Sequence, residues 1–336
     1  MPRIIATVGP MIAQEKELNK LIARGVNDYW VDNGLKQSFR YMRLLNKYKS
    51  TKPNSITVYL DLPSSRCRHV KLSGEIIDDR AYTIFDEKSS ISKEDDYLVM
   101  SGLQDIITHL HVGEKIYYED GLCVFSIREI NVEKSMIIAV CDKMFEKEKQ
   151  STIRVNSSIS FDGEDKPYSV LRKSDLEFLT KCRDNNIKPD YIALSFCKNE
   201  NDIIQAISQI RLIFEDVLFL VKIQTREAIH RIDSIIDNSD GIVIERGDLI
   251  YLLQDFSLPF IQKLIIDKAH NSKKKSVVAN GFMSEYARAS LLSRAEQSDV
   301  YRLLEEGADY ILLTKETGML DHPIATIDAI NMIFNS

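Results

Sequence analysis

Eight times along this chain a short β-branched run is followed by apolar residues at helical spacing, and after the third run the rhythm breaks once. No other feature constrains the fold as tightly. A strand, a covering helix and a further strand make a right-handed crossover that returns the chain in the same direction, so repetition implies a parallel sheet. RIIATVG at 3–9 starts the series, followed by 26–31 and by ITVYLDL at 56–62. After the break come YIALSF at 191–196, LFLVKI at 218–223, GIVIE at 241–245, SVVA at 276–279 and YILLT at 310–314. Helical faces are expected near 14–24, 35–48, 174–185, 258–270, 298–306 and 323–334, with Ser174 as the cap of the third. Eight such units make either a (β/α)8 barrel or an open doubly wound sheet. No strand is followed by the G-x-G-x-x-G turn of a dinucleotide fold, and the barrel is preferred.

Between residues 69 and 160 short alternating runs and polar turns replace the helical pattern. In KIYYEDGLCVFSI, Asp120-Gly121 is a hairpin signal between two strand-like flanks. The expected organisation is therefore an α/β barrel from residues 1–68 and 161–336, carrying a small β-rich domain inserted after the third strand at 69–160. A length of 336 residues fits one barrel of about 250 residues plus such an insertion.

Several function classes are excluded by composition. A net charge of −6 with interspersed signs lacks the basic face that nucleic acid requires. No run approaches the roughly 18 apolar residues of a spanning helix, and the first residues run into a strand without a leader, so neither membrane nor export is expected and the cytoplasm is. The five cysteines are odd in number and scattered, which reads as reduced, mostly buried thiols.

In a closed barrel the chemistry sits where the strands end. Lys222 and Gln224 finish the fifth strand and, two residues apart, project to the same face. The sixth runs into Glu245-Arg246-Gly247-Asp248, where Gly247 permits close backbone approach and Asp248 offers a hard oxygen for a divalent ion such as magnesium. A lysine and a metal together could clamp a phosphate or stabilise an enolate. Equally, Lys222 could be a structural ion pair, Asp248 a helix cap and Ser195 a partner for backbone. Ser195 and Phe196, Asn280, and Thr314 to Thr317 end the fourth, seventh and eighth strands.

At these residues the sequence resembles the pyruvate kinase family, in order from Arg3 to about Phe334. IIATVGP resembles the family's CTIGP, DYIALSF its DxIALSF, SDGIVIERGDL its SDGIMVARGDL, RAEQSDV its RAEGSDV, and GADYILLTKETGMLDHP its GADCIMLSGETAKGDYP. The resemblance implies a barrel with a mobile β-barrel lid inserted after strand three, in which YEDGL corresponds to VDDGL. It also implies that the family's C-terminal effector domain lies outside this sequence, so sugar-phosphate regulation there is not expected. Carried over position by position, Lys222 matches the lysine beside the transferred phosphoryl group and Asp248 one of two metal carboxylates. Gly247 matches a substrate-binding glycine, Asp61 a potassium-site aspartate and Arg68 an arginine facing the transfer region, while Ser195 and Phe196 match pocket positions.

Other positions depart from the pattern. Gln224 stands at the second metal carboxylate, Asn280 at a substrate-contacting threonine, and Glu245 at a small residue, where it either substitutes as a metal ligand or repels an anion. The family's RxNFSHG loop has become Tyr29-Trp30-Val31-Asp32-Asn33-Gly34, losing an arginine and potassium ligands, which leaves potassium in doubt. The resemblance thus implies an enzyme using Mg2+ or Mn2+ held by Asp248, Gln224 and Glu245 to act on phosphoenolpyruvate, pyruvate or a related 2-oxo acid through an enolate. Lys222 and Arg68 are its catalytic candidates. Phosphoryl transfer to ADP and lyase or aldol chemistry both remain open, as does a non-catalytic binding or regulatory role. A homodimer is expected, because RAEQSDV resembles an interface segment.

Overall fold

The structure is a computed structural model that describes residues 1–52, 55–89, 97–118, 121–144, 157–162, 165–253 and 257–336. The chain runs through β1 (Arg3–Thr7), β2 (Asp28–Asp32) and β3 (Thr57–Leu62). A separate sheet follows, made of β4 (Arg68–Leu72), β5 (Ala81–Asp86), β6 (Tyr97–Ser101), β7 (Lys115–Tyr118), β8 (Cys123–Asn131), β9 (Met136–Met144) and β10 (Ile159–Phe161). The chain then continues through β11 (Tyr191–Leu194), β12 (Leu218–Ile223), β13 (Gly241–Glu245), β14 (Lys275–Ala279) and β15 (Tyr310–Leu313). Two compact units result: Met1–Ser64, Val170–Leu249 and Asp255–Ser336 form one, and Ser65–Ser169 with Ile250–Gln254 the other.

In the first unit eight parallel strands close in the order β1-β15-β14-β13-β12-β11-β3-β2. This is the (β/α)8 barrel expected from the repeat. Strand alternation sends Ile5, Trp30, Tyr59, Tyr191, Ala193, Leu220, Val243, Val277, Ala279, Tyr310 and Leu312 into one buried interior cluster. Its aromatic members stack, Tyr59 on Trp30 with centroids 6.0 Å apart and on Tyr191 at 4.8 Å. At the N-terminal end of the strands Arg3 pairs with the buried Asp28 at 2.6 Å, and the Tyr59 hydroxyl donates to the same carboxylate at 2.9 Å. That end is therefore occupied by its own polar groups.

Local chemistry sets the helix boundaries. The helix Lys173–Asp184 starts one residue before the expected Ser174, and Ser174 is not its cap. Arg172 caps it, because Asp175 reaches back to accept from the Arg172 backbone N–H at 3.0 Å. Likewise Arg294–Glu306 begins earlier than the apolar pattern suggests, since Ser293 and Glu296 form a reciprocal capping box. Where β1 meets the turn after β15, a Cβ on Gly9 would lie 2.2 Å from the Gly318 carbonyl oxygen. A backbone atom cannot swing away as a side chain would. Gly9→Ala is expected to lower stability by about 1–3 kcal/mol or more, read as a reduced urea midpoint.

In the second unit seven strands follow the order β10-β7-β8-β9-β5-β6-β4, and a bridge between Arg68 and Ser158 nearly closes the sheet. β7 and β8 pair antiparallel from Lys115 with Ser126 to Tyr118 with Cys123. Asp120 of the hairpin signal lies outside the described residues. Tyr82, Phe125 and Tyr118 fill the centre with edge-on ring contacts. All five cysteines are free and buried. Among the described residues no helix is long and apolar enough to cross a membrane.

Candidate active site

The C-terminal ends of the barrel strands are unusually polar. Alternation from the interior residues carries the inward face to Asp61 after Tyr59, Ser195 after Ala193, Lys222 and Gln224 after Leu220, and Glu245 after Val243. Asp248 lies in the first turn of the helix Arg246–Leu252. All six are almost fully buried, with exposures between 1% and 7%.

They form one network. The Lys222 ammonium donates to Asp61 Oδ2 at 2.9 Å and lies 2.9 Å from Glu245 Oε1. Ser195 Oγ donates to the other oxygen of Asp61 at 3.3 Å, and the Asn280 amide donates to Glu245 Oε2. Gln224 links the next members: its Oε1 accepts from the Phe196 backbone N–H at 3.2 Å, and its Nε2 donates to Asp248 Oδ2 at 2.6 Å. Because Ile223 pairs with Ile244 across adjacent parallel strands, Gln224 and Glu245 follow side by side. Phe196 and Asn280 hold left-handed backbone conformations, with φ of 58° and 75°. For phenylalanine that conformation is strained, and strain of this kind concentrates at functional sites.

Asp61, Glu245 and Asp248 bring three almost fully buried carboxylates together around the ammonium of Lys222. Burial alone would neutralise Lys222, but the charges of Asp61 and Glu245 outweigh it and hold the amine well above its ordinary pKa. Burial pushes the Glu245 carboxyl up, and Asp248 adds to the rise while Lys222 opposes it. In the metal-free protein a raised carboxyl contributes stability that is present below the ordinary Glu range and lost as pH rises through its folded value. Stability should therefore fall with rising pH across that window, and Glu245→Gln should flatten the slope in urea titrations run at several pH values.

The expected site residues separate into two groups. Lys222, Gln224, Glu245, Asp248, Asp61, Ser195, Phe196 and Asn280 come together, and Gly247 lies in the same first turn as Asp248. Arg68 starts β4 in the second unit. Arg246 turns to Asp299, bonded at 2.7 and 2.9 Å, and lies over the Phe282 ring. Two further features carried no signal in the sequence. The Thr7 hydroxyl, on the inward face two residues beyond Ile5, is buried without a hydrogen-bond partner among the described residues. Arg172 meets the loop after β2 through a shared partner: Asp175 Oδ1 accepts from Arg172 Nη2 at 2.6 Å and from Asn33 Nδ2 at 3.0 Å. A lone threonine and an arginine before a helix are too common for spacing to single out.

Residues 1–327 match the family described as pyruvate kinase, barrel domain. The chain belongs to the pyruvate kinase family. Among curated pyruvate kinases it is 24% identical to that of Thermotoga maritima over 335 residues, covering 98% of this chain and 70% of that protein. It is 22% identical to that of Thermococcus litoralis over 329 residues, covering 97% and 67%. The pyruvate kinase of Mycoplasma genitalium is 26% identical over 288 residues, with 84% of this chain and 54% of that protein covered. At such identities the family and the barrel are shared, while chemistry has to be argued from the site itself.

Proposed function

We propose that this pyruvate kinase relative is an enzyme that acts on phosphoenolpyruvate, pyruvate or a related 2-oxo acid through an enolate, with a divalent cation as cofactor. The observation that carries the reading is the convergence of Lys222, Glu245 and Asp248 in one almost fully buried network of hydrogen bonds and ion pairs. Such a cluster fits a hard divalent ion, because its donors would be carboxylate oxygens and one Mg2+ or Mn2+ would add positive charge among the buried carboxylates. Glu245 and Asp248 would hold it. Gln224, whose amide oxygen is spent on the Phe196 N–H, would orient Asp248 from behind. In this reading Glu245 supplies, from the adjacent strand, the carboxylate that position 224 lacks.

When bound, the ion would supply Lewis acidity toward the oxygens of the 2-oxo acid. The chain's own residues do the rest. Lys222, held protonated by its neighbours, presents a fixed positive charge where negative charge grows as an enolate forms. Asp61 and Ser195 fix the direction of that ammonium, so it needs no reorientation during reaction. The buried Thr7 hydroxyl offers a further donor at the same strand ends. Phosphoryl transfer to ADP and carbon–carbon lyase or aldol chemistry both use such an arrangement.

Two incubations test the reading. With pyruvate and Mg2+ in D2O, exchange of the methyl protons followed by NMR is expected, because enolate formation is common to every reaction proposed. With phosphoenolpyruvate, ADP, Mg2+ and K+, formation of ATP would select the kinase branch. A second reading, a binding protein without turnover, is favoured by one observation: Lys222 and Asp248 are already satisfied within the protein. Mg2+-dependent binding of oxalate with neither exchange nor ATP would select it.

The cation also predicts a pH dependence. Protons and Mg2+ compete for Glu245, whose carboxyl lies above the ordinary range. The rise in melting temperature produced by Mg2+ should grow as pH rises above the ordinary carboxylate range and be largely lost in Glu245→Gln.

A further inference from the structure

Resting on the proposed reading, we infer that Arg172 binds a second anionic group of the substrate, the phosphate of a phosphorylated enol acid, at the open end of the barrel. Two cations at these strand ends are already engaged within the protein. Lys222 is shared between Asp61 and Glu245, and Arg246 is held by Asp299 and the Asn280 carbonyl. A substrate with more than one negative charge, approaching three buried carboxylates, needs a positive group of its own set apart from them.

Arg172 has the required properties. Its guanidinium is locked from one side by a fully buried carboxylate, with Nε donating to Asp175 Oδ2 at 2.9 Å and Nη2 to Oδ1 at 2.6 Å. Asn33, in the loop directly after β2, shares that second oxygen at 3.0 Å, which places the guanidinium beside the end of the second strand. No protein group among the described residues takes the two N–H groups of Nη1, and the side chain is 33% exposed. Burial opposes its charge, but the bonded Asp175 and the nearby Asp32 and Asp61 more than offset that and keep it charged. Asp32 and Asp61 end neighbouring strands, paired in register, and Asp61 also accepts from Lys222. An arginine fork held in this way, with unspent donors, suits a phosphate oxygen.

The helix cap survives its removal. The capping bond runs from the Arg172 backbone N–H, so it persists in Arg172→Met, and Asn33 still serves Asp175. Calorimetric titrations of the full chain with Mg2+ and either phosphoenolpyruvate or pyruvate test the inference. In Arg172→Met, phosphoenolpyruvate affinity should fall about 10- to 100-fold, as for loss of a charged hydrogen bond, while pyruvate affinity stays within about twofold. Arg172→Lys, which keeps the charge without the fork, should recover part of the loss and also serves if the methionine variant folds poorly. Parallel losses for both ligands, or unchanged phosphoenolpyruvate affinity, would overturn the inference and leave the parent reading standing. Failure of the unaltered protein to bind either ligand with Mg2+ would overturn both.

Discussion

Replacing Lys222 with methionine is expected to cost about 3–5 kcal/mol of stability at neutral pH and to abolish pyruvate proton exchange. The ammonium bonds both Asp61 and Glu245, and its removal takes that shared positive charge from two buried carboxylates inside the barrel. Breaking a buried pair from one side is expensive for that reason: the group left behind has lost water and gained nothing. The same argument fixes the pH response. As pH falls, the stranded carboxyls take up protons, so the variant should regain stability toward acid relative to the unaltered protein. Urea unfolding at neutral pH and near pH 5 reads both signs, and a uniform loss at both would point to packing.

Gln224→Glu should act in opposite directions with and without a divalent cation. A fourth carboxylate next to Asp248 and Glu245 adds a negative charge and replaces a donor with an acceptor, so Asp248 Oδ2 loses its 2.6 Å hydrogen bond from position 224. Without metal the variant should lose about 3 kcal/mol or more. With Mn2+ the added ligand charge should tighten binding about tenfold or more, which restores the melting temperature. An unaltered Mn2+ affinity would place the ion away from position 224.

Much of the barrel was legible because its signals are local. Strand–helix alternation and the hairpin pattern in 115–127 are written in neighbouring residues, and the barrel and the second sheet follow from them. The polar strand ends were legible too, since a period of two places Lys222 and Gln224 on one face without any knowledge of the partners. Partner choice was not legible. Asp61 reaches Lys222 across 161 residues, and nothing in either segment states that the barrel will close so as to join them. Glu245 stands next to Arg246 in the chain, yet its carboxylate meets Lys222 across the β12–β13 register, which the local sequence does not state. Ser174 looked like the better cap by residue type, yet Asp175 folds back onto Arg172, a bond set by tertiary contact with Asn33. Lys222, Gln224 and Glu245 announced themselves as polar residues at strand ends, while Thr7, which also ends a strand, and Arg172, which precedes a helix, did not.

The central claim is that Glu245 and Asp248 hold a divalent ion beside the ammonium of Lys222. Crystals soaked with Mn2+ and oxalate, measured at a wavelength where manganese scatters anomalously, test it most directly. The account predicts one strong anomalous peak bonded to both carboxylates, with oxalate within reach of Lys222. An anomalous map with no peak there, and Lys222 still closed on Asp61 and Glu245 with oxalate bound elsewhere, would contradict it.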